Sequence, residues 1–264
     1  MPEPIVTLTT DFGEESPYVA AVKGAILAIN PAARILDLSH QIPRQDLRAA
    51  AFFLAASVPY FPTGVIHVVV VDPGVGTQRA LLFVQVAGHR LLVPDNGCWT
   101  ELARRLAEQP CVIQLAEPRY WRESVSTTFH GRDILAPVAG WLSRNVDAEL
   151  LGPPAKEWNR VDLPVAETAR DRVVGEVLFI DYFGNLITNI AASALTAMAS
   201  PRPRIYVGDE LIPHFVRTYG DARPGTLAAL ISSGDTLEIA VPHGSAAARL
   251  KATPGTRVFV TAGQ

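Results

Sequence analysis

Four apolar runs in the N-terminal part of the chain each lead straight into an aspartate: IVTLTT into Asp11, RIL into Asp37, VIHVVVV into Asp72 and LLVP into Asp95. Strands are expected at 4–10, 34–38, 65–72, 81–87 and 90–94. Between them, residues 17–30 (PYVAAVKGAILAIN) and 46–58 (DLRAAAFFLAASV) carry apolar residues at helical spacing. Pro31 closes the first helix and Asp46 is placed to cap the second. This alternation predicts an α/β fold whose parallel or mixed sheet has helices on its faces. In open α/β sheets ligands bind outside the carboxyl ends of the strands. A rim with several carboxylates suits a polyhydroxylated or cationic small molecule. Asp is also common in turns and at helix N-caps, and for Asp37 and Asp95 that plainer role is equally open.

Past residue 150 the texture changes. LGPPAKEWNRVDLPVAETARDR is polar and proline-bearing with no sustained periodicity, as in a linker or irregular crossover. After it come short strand candidates at 173–181, 186–190, 203–207, 227–231, 237–241 and 256–261, separated by Gly, Pro and Asp. The expectation is an N-terminal α/β domain over 1–165 and a smaller all-β domain, a barrel or a sandwich, over 166–264.

Composition narrows the function classes. Hydrophobic residues at 48% and charged residues at 19% support a substantial core and exclude a disordered chain. With a net charge of −3 and no run of Lys or Arg, nucleic acid is not an expected partner. No apolar stretch is long enough to span a membrane, and the N-terminus lacks the pattern of a signal peptide, so a cytoplasmic location is expected. Cys98 and Cys111 form no CxxC pair and are expected to be free and reduced. His40, His67, His89, His214 and His243 show no metal-ligand spacing, so no metal site is expected.

Three motifs could carry chemistry. In VVVVDPGVGTQR (68–79) a buried strand ends at Asp72, a Pro-Gly-Val-Gly turn follows, and Arg79 comes seven residues on, near enough to fold back. This is neither a Walker A loop nor GxGxxG; a glycine-rich turn with a surface arginine is equally compatible. In TTFHGRDILAPVAGWL (127–142) His130 sits in a glycine-flanked turn before a helix starting around Asp133. There it would relay a proton near neutral pH, or simply cap the helix. In VLFIDYFGNLITNI (177–190) Asp181 and Asn185 bracket Phe183-Gly184 between two strands. An Asn amide suits an adenine or amino-acid edge and Phe183 a flat ring, although a plain β-turn uses the same residues. No GxSxG elbow supports acyl chemistry.

Taken together, TTDFG (9–13), DLSHQIP (37–43), VDPGVGTQR (71–79), PDNG (94–97), TFHGRD (128–133), IDYFGNLITNI (180–190) and SSG…LEIAV (232–241) resemble one family. It is the S-adenosyl-L-methionine hydroxide adenosyltransferases, or adenosylmethionine hydrolases, relatives of the 5′-fluoro- and 5′-chloro-adenosine synthases. The resemblance spans nearly the whole chain. It implies a C-terminal β-barrel-like domain after the α/β domain, a homotrimer with active sites between subunits, S-adenosyl-L-methionine as substrate, and no cofactor. It also implies a water-activating set at Asp72, Arg79 and His130, with Asp11 on the ribose diol. Asp181 and Asn185 match positions contacting the methionine end and the nucleoside; Ser232, Glu238 and Val241 match the loop holding methionine and adenine. The halogenating relatives carry Tyr at the position of Asp72 and a Tyr-Ser pair at His130-Gly131, so this chain resembles the hydrolytic branch. Ser16 stands where relatives commonly have Asp, and the 232–241 loop is one residue longer than usual.

Overall fold

In the computed structural model the β-branched runs of the N-terminal half become β1 (Ile5–Thr10), β2 (Arg34–Ser39) and β3 (Ile66–Val70). They are followed by a hairpin of β4 (Leu81–Val86) and β5 (His89–Pro94), and by β6 (Cys111–Gln114). Residues 3–198 and 203–263 are described, and the chain divides into two compact units, Met1–Asp162 and Leu163–Gln264.

The first unit is a six-stranded sheet in the order β2-β1-β3-β5-β4-β6. Only β4 runs against its neighbours, so β1, β2, β3 and β5 point their carboxyl ends to one rim. Successive β3 residues face opposite sides, as the two-residue strand period requires. Val68 and Val70 pack with Val22, Ile26, Val138 and Leu142, whereas Val69 and Val71 pack with Leu54, Trp99 and Leu102. Those partners lie on α1 (Tyr18–Ile29) and α4 (Ala136–Ser143) on one face, and on or beside α2 (Leu47–Ser57) and α3 (Thr100–Leu106) on the other. Burial on both faces explains why this strand reads as an apolar run interrupted by a single residue, His67. Each such side chain contributes about 1.5–3 kcal/mol of burial. Asp46 caps α2 as expected, its side chain accepting from Ala49 N at 2.9 Å.

Three details depart from the sequence reading. β2 continues past Asp37 to Ser39, so Asp37 lies within the strand rather than at its end. The helix expected from Asp133 is entered through a π-helical turn, Gly131–Leu135, before α4 begins. The polar stretch after 150 is partly claimed by the first unit. Trp158 packs on Trp99 with ring centroids 5.6 Å apart, and Asn159 N donates to Asp95 Oδ1 at 2.8 Å. The backbone at Arg160–Val161 lies directly over Gly97, which has φ +83°.

In the second unit β7 (Glu167–Thr168), β8 (Arg172–Ile180), β9 (Leu186–Ala191), β10 (Arg204–Val207), β11 (Glu210–Ile212), β12 (His214–Phe215), β13 (Ala228–Ile231), β14 (Thr236–Ala240) and β15 (Arg257–Thr261) form one coiled, barrel-like sheet. The nine-residue β8 turns the corner: its first half pairs with β15 and its second half with β9. Inward residues at alternate positions, including Val173, Val177, Leu186, Ile190, Leu237, Ile239, Val258 and Val260, fill the core. Two short helices, α5 (Ala192–Ala197) and α6 (Ala246–Leu250), complete the unit. Among the described residues no helix is long and apolar enough to cross a membrane.

Candidate active site

β3 delivers Asp72 to the rim, and the turn after it returns Arg79. Within this turn Val75 N donates to Asp72 O at 3.2 Å and Thr77 N to Gly74 O at 3.1 Å. The glycines and proline let the chain reverse in a few residues. Arg79 Nε then donates to Asp72 Oδ1 at 2.7 Å while Nη2 donates to Oδ2, a bidentate pair. Each side chain is only 7% exposed, so water screens the pair weakly. Asn96, from the PDNG motif, donates Nδ2 to Val71 O at 2.8 Å and fixes the strand end that presents Asp72.

The third member arrives from a distant part of the chain. His130 makes no side-chain capping bond to the helix it precedes; instead its Nδ1 lies 3.1 Å from Arg79 Nη2. A guanidinium only donates, so Nδ1 accepts and the neutral imidazole carries its proton on Nε2. Burial, then the Arg79 charge, push the His130 pKa below its ordinary value, against the opposing pull of Asp72 and Asp133. The structure therefore brings Asp72, Arg79 and His130 together, with Arg79 as the joint. Neighbouring Cys98 is buried, and its thiol is pushed up to about 12 by burial and by the Asp72 charge, so it is no nucleophile.

Asp11 leaves β1 beside this cluster, because Thr10 pairs with Val70 across β1 and β3. It is half-buried, and Oδ2 accepts from Gln45 N at 2.8 Å. The other two strand-associated aspartates are committed elsewhere. Asp37 pairs with Lys23 Nζ at 2.6 Å and with His40 Nε2 at 3.1 Å, and Asp95 pins Asn159. Asp95 thus serves in a turn, the plainer role, whereas Asp37 is neither in a turn nor at a helix cap but pairs from within β2. Ser16 donates its hydroxyl to Phe12 O at 2.9 Å, closing the loop after Asp11.

Within the second unit, Asp181 and Asn185 are bound to each other. Asp181 Oδ1 accepts from Phe183 N at 2.9 Å and Asn185 N at 2.8 Å, and Oδ2 accepts from Asn185 Nδ2 at 2.9 Å. The turn they close holds Tyr182 fully exposed and Phe183 74% exposed. Ser232 starts the turn from β13 to β14, its Oγ accepting from Gly234 N at 3.2 Å. Glu238 is buried on β14, and Val241 is buried just beyond that strand. Glu238 Oε1 accepts from Tyr219 Oη at 2.6 Å. Burial and the Asp181 charge push the Glu238 carboxyl above the usual range, with the Tyr219 bond opposing.

Sequence reasoning missed Tyr219, Asn96 and Asp133 as partners. Tyr219 lies nineteen residues from Glu238, with no local pattern joining them. Asn96 sat inside a motif without an assigned contact. Asp133 was visible as a helix start, yet its complete burial was not. Among the described residues no group of three or more His, Cys, Asp or Glu side chains is placed to hold a metal ion.

The chain also resembles known proteins. Residues 6–152 match the SAM hydroxide adenosyltransferase N-terminal domain and residues 175–259 the matching C-terminal domain. A relative from Salinispora tropica named "(R)-S-adenosyl-L-methionine hydrolase" is 38% identical over 264 residues, covering 99% of each chain. A fluorinase of Nocardia brasiliensis is more distant, 24% identical over 71% of each. The crystal structure of an uncharacterized conserved protein from Thermotoga maritima superimposes with a TM-score of 0.91 at 30% identity, covering 97% of this chain and 99% of that one. With both domain families matched in order along the chain, this protein belongs to the SAM hydroxide adenosyltransferase family.

Proposed function

We propose that this chain hydrolyses S-adenosyl-L-methionine to adenosine and L-methionine, with water attacking the ribose C5′ carbon. The carrying observation is the joined Asp72–Arg79–His130 cluster on the carboxyl rim of the sheet. The water oxygen bonds to C5′ as the C5′–sulfur bond breaks. The electron pair of that bond goes to sulfur, so methionine leaves as a neutral thioether without needing an acid. The difficulty lies in the nucleophile, since bulk water has a pKa near 15.7 and hydroxide is scarce at neutral pH. His130 Nε2–H and the Arg79 guanidinium donate to the attacking oxygen. Because Nδ1 is occupied by Arg79, the water's proton passes to Asp72, whose oxygens keep lone pairs beyond the two used by Arg79.

Alignment supplies the rest. In-line attack needs oxygen, C5′ and sulfur nearly collinear, with reacting atoms about 3–3.5 Å apart. Asp11 accepts the two ribose hydroxyls, Asp181 and Asn185 meet the methionine end and the nucleoside, and Ser232, Glu238 and Val241 border methionine and adenine. The proposed sites lie between subunits of a cytoplasmic homotrimer, the N-terminal unit of one facing the C-terminal unit of the next. The exposed aromatic pair Tyr182–Phe183 beside Asp181 supports this reading: it is an apolar surface suited to cover by a neighbour or a flat ligand. No cofactor enters the scheme, and neither nucleic acid nor membrane is a proposed partner.

The relatives are named for the (R)-sulfonium form, so the test uses both epimers separately. Each is incubated in ¹⁸O-water and the products are weighed by mass spectrometry. Label in the adenosine 5′-hydroxyl is the expected result. Intact substrate after prolonged incubation would make the chain a binder without turnover, and chloride-dependent formation of a halogenated nucleoside would make it a halogenase.

A further inference from the structure

His130 reaches Arg79 from the start of the π-helical turn Gly131–Leu135. π turns are rare and tend to mark functional sites. Here Phe129 O accepts from both Arg132 N at 3.1 Å and Asp133 N at 3.0 Å, and the turn is held on two sides. On one side Gly131 is pressed against β3. A Cβ there would lie 2.7 Å from Val70 Cγ1 and 3.1 Å from Cγ2, so only glycine permits this approach. On the other side Asp133, wholly buried, accepts from Arg132 Nε at 2.6 Å, Arg132 Nη2 at 2.8 Å, Ser126 N at 2.9 Å, Ser126 Oγ at 2.8 Å and Arg122 Nη1 at 3.2 Å. Its backbone carbonyl also accepts from Arg122 N at 2.9 Å.

We propose that this turn is the positioning device for His130, Gly131 seated on Val70 and Asp133 clamped to residues 122–132 setting the placement and tautomer in which the imidazole meets Arg79. Val70 is the residue that leads through Val71 to Asp72. The Gly131–Val70 contact thus references the imidazole to the strand that carries the carboxylate, and a shift of the turn separates the two. Burial would raise the Asp133 carboxyl, but its bonds to Arg132 and Ser126 hold it well below the usual carboxylate range, so it stays a charged anchor. Neither residue touches the reacting atoms. The proposal rests on the reading of His130 as part of the water site, but its readout is separate.

The test uses the full chain with ¹⁵N-labelled histidine, reading the His130 ring nitrogens for tautomer alongside kcat and KM for S-adenosyl-L-methionine. The wild-type ring should show a single Nε2–H tautomer. Gly131→Ala and Asp133→Asn should each give mixed tautomers. Each should also lower kcat on the order of 10²-fold, with KM changed no more than about threefold, because the interaction lost is made in the transition state. Adding Val70→Ala to Gly131→Ala removes both clashing methyls and leaves Val70 Cβ at 3.5 Å, an ordinary contact, so tautomer and kcat should recover. Wild-type ring signals in either single variant overturn the proposal. So does a double variant that stays unfolded or keeps the mixed tautomer. If Asp133→Asn does not fold, the Gly131 and Val70 pair decides alone. A wild-type chain that leaves the substrate intact defeats the hydrolase reading, whereas the ring signals still decide this one.

Discussion

Arg79 Nη2 stands 3.1 Å from His130 Nδ1, a guanidinium nitrogen that can only donate facing a ring nitrogen that must therefore accept. The same guanidinium grips both oxygens of Asp72. One side chain thus anchors the carboxylate and fixes the tautomer of the imidazole. Asp72 and His130 share no hydrogen bond of their own in this arrangement; they are related through the arginine.

Arg79→Lys tests that joint. An ammonium is a point charge on a flexible stem and cannot span two carboxylate oxygens and a ring nitrogen. Turnover should fall by roughly 10²–10⁴-fold, the range for a displaced acid–base group, with KM altered much less. Steady-state kinetics decide the matter: a variant within tenfold of wild-type kcat would remove Arg79 from its organising role.

The pH dependence of kcat follows from His130. Its neutral form is the one that accepts from Arg79, and burial together with Arg79 pushes the pKa below its ordinary value. Activity should be complete at neutral pH and decline only on acidification, with an apparent midpoint below about 6.5. A profile that keeps falling from pH 8 to pH 7 would place the controlling group elsewhere.

His67 makes a separate prediction about stability. The ring is 1% exposed on β3, with Thr7 Oγ1 at 2.8 Å from Nδ1 and the rings of Phe61 and His89 packed at 5.6 and 5.8 Å. Burial, reinforced by His89, pushes its pKa down to about 3. Below about pH 6.5 the unfolded chain binds a proton at this residue that the folded chain refuses until about pH 3. Folding stability should therefore drop as pH falls through that window, by up to ~1.4 kcal/mol per pH unit from this group, and be unaffected above it. Urea melts at pH 7 and pH 5 should show a smaller acid loss for His67→Gln than for wild type. An equal loss would reject the assignment.

Gly97→Ala should detach the segment around Arg160. At φ +83° an added Cβ would lie 2.4 Å from Arg160 C, backbone that has no way to swing aside. Strain at such a position costs on the order of 1–3 kcal/mol before any clash. The expected outcome is a lower melting temperature and proteolytic cleavage near residues 156–162. Unchanged melting and protection would show that this stretch yields easily.

The legible parts of the fold were those written in local periodicity. The valines of β3 read as a strand because burial on both faces leaves His67 as its one polar residue. Asp46 was readable as a cap because capping acts within three residues. Thr100–Leu106 and Cys111–Gln114 are not legible in the sequence, since seven mixed residues and four residues are too short to show a period. The polarity of Asp37 suggests a strand terminus, but inside β2 its carboxylate pairs with Lys23, with His40 Nε2 also at hand.

For the site, the chain order alone determined which chemistry was present: an acidic rim, an arginine one turn beyond Asp72, and a histidine in a glycine-flanked bend. Backbone turn preferences act over a few residues, so Pro73, Gly74 and Gly76 made an Asp72–Arg79 approach possible, and the structure decided it over a surface arginine. The tertiary structure alone decided that His130, 51 residues from Arg79, presents Nδ1 to it. It also decided that Tyr219 serves Glu238 and that Gly131 rests on Val70. Those contacts depend on how sheet and helices pack, which no short stretch of residues encodes.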